Sequence, residues 1–471
     1  MITNFDIAMQ NKRLQLDAAS ADRLREYELY RNLYESDFAA AFPSTFSKIA
    51  KKYPFEYTTA QTLIEVNLFY AMTDFFKDML TNQGLQINVD SACQEEWSEI
   101  ERENNFLAVL KEVFIDNSRF GNGIFKVALE EGCPKIFSVC PDCWFPVFDR
   151  GNINGLSGHL LVYDLEDTVN GCPVKMKRIE KHHRGYVENE LWTMKDDMFK
   201  ELLDIESEMG IDVVDDFSAL WNDFIVFPVK NTTESDRYFG ESDYKRCKSL
   251  VEELMLTVSQ NSKIINRHAN PKMTGSTENL EFNPSTGKSE FPNKDFIPVG
   301  RDGVKAEYIT VDLQAEAISR HINSLMQFFY ILTKTPPQAY GLDIAGNMSG
   351  ESLRKVFMAT LAKIDDIKQV SFDHTVQKVV RCAMAFNKTP VKSVKLEWGD
   401  PLPDDYGTVV KNNVDRIACG TQSKLAAIMQ LDNVDETAAN AKLEQIKSEV
   451  PVSEGVEDKS TAASDDGADL G

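Results

Sequence analysis

The middle of the chain carries three long stretches with the apolar periodicity of amphipathic helices. They run from Ser242 to Asn270, from Asp312 to Thr335 and from Ser349 to about Phe386. At 1.5 Å per residue the first would measure about 40 Å and the third on the order of 50 Å, which is long for one globular domain. A lone subunit could hardly cover the apolar stripes of three such helices. The pattern therefore predicts an assembly in which neighbouring copies bury them.

Capping residues, glycine and proline set the ends of these helices. After Phe239-Gly240, Ser242 is the predicted cap of the first helix, and the cap of the third is Ser349. Between the first two helices, residues 271–309 are rich in glycine and proline, which predicts a compact insertion of turns and small strands. Pro336-Pro337 ends the second helix, and a loop follows. The residues of this loop are Gly341, Leu342, Asp343, Ile344, Ala345, Gly346 and Asn347.

The flanking regions combine helical and strand periodicities. Residues 22–82 and 95–117 read as helices, whereas short β-branched and aromatic segments between Ile124 and Val229 read as antiparallel strands, so this half is α+β. After the strand VKLEWG, helices are predicted at about Val409–Cys419, from Lys424 onward and at about Thr437–Ile446. Residues 450–471 have the polar, acidic composition of a disordered tail.

Charge and cysteine usage limit the possible functions. The 471 residues include 51 Lys and Arg against 74 Asp and Glu, a formal net charge of −23, so tight binding to nucleic acid or to an anionic membrane is not expected. Such a charge remains compatible with a protein that encloses DNA without gripping it. Eight scattered cysteines favour a reducing compartment, and neither a signal peptide nor a membrane span is expected.

Two motifs raise the possibility of chemistry. Cys140-Pro-Asp-Cys143 has the spacing of zinc ligands, and the set could be completed from Cys133, Cys172, His182 and His183. With only one such pair, buried structural cysteines are the favoured interpretation, and we expect no metal and no cofactor. The string from Phe282 to Ser289 ends like a phosphate-binding loop but lacks the first glycine and is flanked by prolines, so a surface turn is expected. No catalytic residues are predicted.

The order of segments resembles that of tailed-bacteriophage portal proteins of the siphophage type. Four segments carry the resemblance: YFGESDYKRCKSLVEELMLTVSQNSKIINRHANPK, TKTPPQAYGLDIAGNMSGESLRKVF, KRIEKHHRGYVENELW with PDCWFPVFD, and IACGTQSKLAAIMQL. It covers nearly the whole chain. It implies a multi-domain α+β portal fold, with long stem and wing helices, a small β-containing clip, an antiparallel wing region and a helical crown.

The resemblance also implies a role for each segment. The parts are a wing (1–238), stem helix one (239–270), a clip (271–309), stem helix two (310–335), a tunnel-loop region (336–350), a long wing helix with a return strand (351–407), a crown (408–449) and the acidic tail (450–471). The implied protein is a ring, expected to be a dodecamer, at one capsid vertex of the virion, assembled in the host cytoplasm. It would conduct double-stranded DNA during packaging and ejection. Its implied partners are the terminase large subunit at the clip, a head-tail connector, and the major capsid and scaffolding proteins.

Cations on the stem segments are the candidates for contact with DNA. They are Lys263 and Arg267 on the first helix, and Arg320 and Lys334 on the second. Each could equally balance a nearby carboxylate or meet a neighbouring subunit. Two other functions remain open: a metal-binding or hydrolytic enzyme that uses the Cys and His residues between positions 133 and 183, and a monomeric helical adaptor.

Overall fold

The structure is a computed structural model. It describes residues 5, 16, 18–45, 64–149, 151, 155–169, 172–196, 198–232, 234–235, 237–269, 315–342, 350–402, 406–432, 434 and 436–449, with the short segments 273–275, 281–284, 288–290, 296–298 and 307–308. These residues belong to two compact units. The first comprises residues 1–346 and 353–401, and the second comprises residues 347–352 and 402–471. The acidic tail predicted for residues 450–471 lies outside the described residues.

Helices at the N-terminal side surround the main core of the first unit. They are α1 (Ala18–Tyr34), α2 (Phe38–Ala41), α3 (Leu68–Thr81), α4 (Gln94–Glu103) and α5 (Phe106–Phe120). Helix α3 begins after Asn67, whose side chain caps the Tyr70 amide, and its buried side chains recur at helical spacing. The predicted helical end near Asn82 is confirmed.

The helix predicted over residues 95–117 is wrong as a single element. Helix α4 ends at Glu103 and α5 begins at Phe106, because Asn105 between them has a φ of 44°, in the left-handed region. Asn104 fixes the corner by donating to the Ile100 and Pro134 carbonyls and accepting from the Ile136 amide. The break lets Trp97 and Phe106 meet edge to face in the core.

In sequence, the strands lie between these helices and the long helices of the middle, and they form antiparallel sheets, as predicted. One sheet has the order β10 (Val226–Lys230), β2 (Asn122–Glu130) and β3 (Cys133–Ser138). The larger sheet contains β4 (Trp144–Phe148), β5 (Leu156–Val169), β6 (Cys172–His182), β7 (Tyr186–Lys195) and β8 (Met198–Leu203), and β9 (Val214–Asp216) pairs with β7. Helix α6 (Ile205–Met209) lies between β8 and β9.

The first long helix of the middle, α7, spans Lys248–Ala269 rather than beginning at Ser242. The Ser242 hydroxyl donates to the Arg119 carbonyl at 2.5 Å and accepts from the Tyr244 amide, so it anchors a turn against the end of α5 instead of capping a helix. The predicted start is wrong because these tertiary hydrogen bonds occupy the capping side chain. Asn270, the predicted end, lies outside the described residues.

Short strands follow α7 in the region predicted to be a compact insertion. Strand β11 (Met273–Gly275) pairs with β14 (Phe296–Pro298) in parallel and with β15 (Glu307–Tyr308) antiparallel. Strands β12 (Glu281–Asn283) and β13 (Lys288–Glu290) form an antiparallel pair. The prediction of small strands is confirmed for these segments.

Helix α8 spans Ala315–Thr333 and packs against α7. Its predicted cap, Asp312, lies outside the described residues. Its end follows the Schellman pattern: the Thr335 amide donates to the Tyr330 carbonyl and the Lys334 amide to the Ile331 carbonyl, with Lys334 at a φ of 58°. Pro336 then prevents the helix from continuing.

The third long helix is interrupted. It consists of α9 (Gly350–Val356), α10 (Met358–Asp366), a π-helical segment (Ile367–Phe372) and α11 (Asp373–Phe386). The predicted bounds, Ser349 to about Phe386, agree with this helical region, whereas the change of winding at Ile367–Phe372 was not predicted. Strand β16 (Val394–Trp398) then pairs with β1 (Leu85–Val89), far back in the chain.

Among the described residues after Leu402, the second unit has helices α12 (Tyr406–Ala418), α13 (Lys424–Asp432) and α14 (Glu436–Glu449), close to the predicted positions. The turn between α12 and α13 uses Gly420 at a φ of 71°. Gln422 donates to the Asn413 side chain across this turn at 2.7 Å, and Ala427 and Ala439 are buried.

Candidate functional site

Of the four candidate cations, the structure describes the side chains of two, Arg320 and Lys334. Lys263 and Arg267 lie one turn apart near the end of α7, and their side chains lie outside the described residues. Arg320 on α8 is 77% exposed and is paired with Glu316, which is 80% exposed. An exposed ion pair of this kind contributes little free energy, so Arg320 remains accessible to other partners. The nearby Glu316 carboxylate still balances most of its charge.

Lys334 has a structural role that the sequence did not reveal. Its backbone takes the left-handed conformation that ends α8, and its carbonyl accepts a hydrogen bond of 2.6 Å from the buried Thr360 hydroxyl on α10. Its side chain is exposed. Lys334 thus joins the end of α8 to the helix that follows the loop, and its charge remains available to a ligand.

The loop predicted at 341–347 is described only at its start. A short turn over Pro337–Tyr340 ends at Gly341, which has a φ of 74°, as predicted from its glycine. Leu342 is half-exposed. Asp343, Ile344, Ala345, Gly346 and Asn347 lie outside the described residues.

One face of α8 is apolar and exposed near the C-terminal end of the helix. Phe328 is 55% exposed, Ile331 70% and Leu332 47%, at the spacing i, i+3 and i+4 that puts them on one face. We call these three side chains the α8 stripe. The adjoining face of the helix buries Leu325 and Phe329. The apolar surface of the helix is therefore wider than the part that the single chain covers.

The Cys140–Cys143 turn is clamped by arginines from α1. Arg23, itself buried, donates to the Pro141 and Trp144 carbonyls at 3.2 and 2.8 Å. Arg31 binds the Asp142 carboxylate and donates to Cys140 Sγ. Burial raises the pKa of both thiols, that of Cys143 to about 12, which disfavours the thiolate that a metal requires.

The other residues proposed as metal ligands also have their own surroundings. His182 is buried and bonds through Nε2 to Glu180 at 2.9 Å, while His183 stacks on Tyr186. Cys133 is exposed at the first position of β3, and the Cys172 side chain lies outside the described residues. Within the part of the chain that the structure describes, no group of three His, Cys, Asp or Glu side chains could hold a metal ion.

Glu180 is the centre of a buried charge cluster between the two sheets. Its carboxylate meets Lys126 at 2.7 Å, Arg178 at 2.7 Å and His182 at 2.9 Å. Burial alone would raise the pKa of Glu180, but the hydrogen bond with His182 and the Lys126 and Arg178 charges hold it far below its usual range. The cluster joins strand β2 of one sheet to strand β6 of the other.

The string resembling a phosphate-binding loop lies on a β-hairpin. Phe282 pairs with Ser289 and Asn283 with Lys288. Lys288 and Ser289 are thus strand residues rather than the first residues of a helix, where a phosphate would be bound. In the ranges open to description, no helix is long and apolar enough to cross a membrane.

A comparison with known protein families gives one match over most of the chain. Residues 14–450 match the family model for phage portal protein, SPP1 Gp6-like. A search of curated proteins gives no match.

Among solved structures, a chain in the neck of a native GTA particle computed with C12 symmetry has a TM-score of 0.41 and 11% identity, covering 77% of this chain and 88% of that chain. A chain in the neck of an empty GTA particle computed with C6 symmetry has a TM-score of 0.40 and 12% identity, covering 77% and 89%. Family membership rests on the family model, which spans most of the sequence. The chain belongs to the phage portal proteins of the SPP1 Gp6-like family, a structural family rather than a family of enzymes.

Proposed function

We propose that this chain is one subunit of a homo-oligomeric ring, a dodecamer, at one vertex of a phage capsid, where it conducts double-stranded DNA during packaging and ejection. The observation that carries the proposal is the α8 stripe. Three large apolar side chains on one helical face remain 47–70% exposed in the single chain. A neighbouring copy of the same helix pair would remove them from water.

The parts of the proposed subunit follow the chain. Helices α7 and α8 form the stem around the channel, with the stem segments at 239–270 and 310–335. The short strands between them form the clip at 271–309, which binds the terminase large subunit and then the head-tail connector. The sheets before residue 238 and the segment 351–407 form the wing, and helices α12 to α14 form the crown at 408–449. Capsid and scaffolding proteins contact the outside of the ring.

The net charge of the chain favours a role as a conduit for DNA over a role as a protein that binds DNA tightly. With a net charge of −23 the chain repels the polymer overall, so DNA can pass without being trapped. Lys263, Arg267, Arg320 and Lys334 supply a few weak phosphate contacts, each of which adds a salt-sensitive increment. The loop at 341–347 projects into the channel between these stem elements.

Labelling of virions tests the proposed position. Gold-conjugated antibodies against the chain, applied to opened particles, should mark one site per particle at the vertex that carries the tail. The same antibodies on particles from a phage lacking the gene provide the control. Labels spread over all vertices, or confined to the tail tip, would contradict the proposal.

A further inference from the structure

The helix that follows the loop changes its winding in the middle. Between α10 and α11, residues Ile367–Phe372 form a π-helical turn, and the Asp373 amide donates to the Lys368 carbonyl five residues earlier. A π-turn widens the helix by one residue and places an irregularity in its hydrogen-bond ladder. Such a point is where a long helix bends.

The far side of this turn is fixed to the fold. Lys368 is buried and donates to the Gly399 carbonyl at 3.3 Å. The Trp398 indole donates to Asp373 at 2.7 Å. Beyond these contacts α11 buries most of its side chains in the main core, namely Val376, Val379, Val380, Cys382, Ala383, Met384, Ala385 and Phe386. The second half of the helix is therefore held by apolar packing along its length.

The near side is held mainly by polar contacts, which include an exposed ion pair between Arg354 and Asp400. The Lys363 ammonium lies 3.0 Å from the Asp243 carboxylate and 3.8 Å from the centre of the Phe76 ring. Asp243 also accepts from Ser118 and Asn231. One turn earlier, the Thr360 hydroxyl bonds the Lys334 carbonyl at the end of α8. These contacts tie α10 both to the segment before α7 and to the end of α8.

Apolar burial on the near side is sparse by comparison. Phe357 and Ile364 are buried there, whereas Met358 is 70% exposed. The Lys363 and Asp243 side chains keep 16% and 9% of their exposure, so both lie near enough to solvent to be hydrated when they separate. Opening this half of the helix would thus expose little apolar surface and would exchange an ion pair for hydration.

We propose that residues Leu353–Asp366 form a hinged arm, with the π-turn Ile367–Phe372 as its hinge and the Lys363–Asp243 and Thr360–Lys334 contacts as its latch. In the chain, the arm follows α8 and the loop predicted at 341–347. Lys363 and Thr360 are positioning residues. That the loop borders a DNA channel rests on the proposed function, whereas the hinge and latch do not.

Hydrogen exchange on the purified full-length chain tests the arm directly. Lys363→Met removes the charge and keeps the stem of the side chain, Lys363→Arg keeps the charge, and Lys378→Met is a matched control on α11, beyond the hinge. We expect Lys363→Met to speed amide exchange in residues 353–366 by at least about tenfold, because those amides exchange through local opening. Exchange in residues 376–386 should remain at the wild-type rate.

The controls separate a latch from a general contribution to stability. Lys363→Arg should restore most of the protection, and Lys378→Met should leave the arm unchanged. If Lys363→Met fails to fold, Thr360→Val supplies the test, since it removes one latch contact with little change in shape. Equal acceleration in the arm and in α11, or no acceleration in the arm, would overturn the proposal. Ring assembly is not needed for this readout, so its outcome is independent of the proposed function.

Discussion

Ile331→Asp tests the α8 stripe most directly, because Ile331 is the most exposed of its three side chains. Burying one large apolar side chain fully contributes about 1.5–3 kcal/mol. Given exposures of 55% for Phe328, 70% for Ile331 and 47% for Leu332, covering the stripe would contribute roughly 3–5 kcal/mol per subunit contact. Replacing Ile331 by Asp removes the largest single contribution to this free energy of association. It also requires a charged carboxylate to be desolvated in the subunit contact. We expect association between subunits to weaken by more than about a hundredfold.

Mass photometry over a range of protein concentrations measures this effect. The variant should run as a folded chain of 53.2 kDa at concentrations where the wild type is a large oligomer. Circular dichroism checks that the helices are retained. Leu202→Asp, on strand β8 and 54% exposed, is the matched control and should assemble normally. Wild-type assembly by Ile331→Asp would refute the assignment of this face to the subunit contact.

Four further predictions concern other parts of the chain. Lys388→Gly should stabilise the fold by roughly 0.5–1 kcal/mol in urea titration, because Lys388 has a φ of 62° where α11 ends. Glu180→Gln should lower the free energy of unfolding by about 3 kcal/mol at neutral pH, because it leaves the Lys126 and Arg178 charges without their carboxylate partner. Since the pKa of Glu180 is lowered in the folded state, the stability that its carboxylate contributes is lost as pH falls below the usual carboxyl range. The difference in stability between wild type and Glu180→Gln should therefore shrink in acid. Burial raises the pKa of Asp116 to about 6, although the Arg119 charge opposes this shift. The free energy of unfolding should therefore fall as pH rises through 6, by about 3 kcal/mol in total. Asp116→Asn should abolish this pH dependence. Gly346→Pro should reduce the DNA packaged per head, measured by particle density, while rings still form; normal packaging would contradict a role for the loop.

Local signals in the sequence predicted elements well where burial and capping act within a few residues. Helix α3 and its end near Asn82, the strands between Ile124 and Val229, and helices α12 to α14 all follow from periodicity and turn residues. The prediction that neighbouring copies bury the apolar stripes of the three long helices is wrong for the positions that the single chain itself buries, among them Leu325, Phe329 and Val379. The assignment of segments to stem, clip, wing and crown stays a prediction.

Contacts between distant residues account for the failures. Ser242 has the side chain of a helix cap, yet the Arg119 carbonyl, more than a hundred positions earlier, accepts its hydroxyl proton. The Cys140–Cys143 turn has the spacing of a metal site, and only the fold brings Arg23 and Arg31 onto it. Lys363 has no sequence signature at all, because its partner Asp243 lies 120 residues away. The π-turn likewise has no marker in composition.

Negative-stain imaging, combined with mass measurement of the purified wild-type protein, tests whether these chains form a ring. We expect closed rings with an open centre and a mass of about twelve times 53.2 kDa. Particles that are monomeric at micromolar concentration and show no central opening would contradict it.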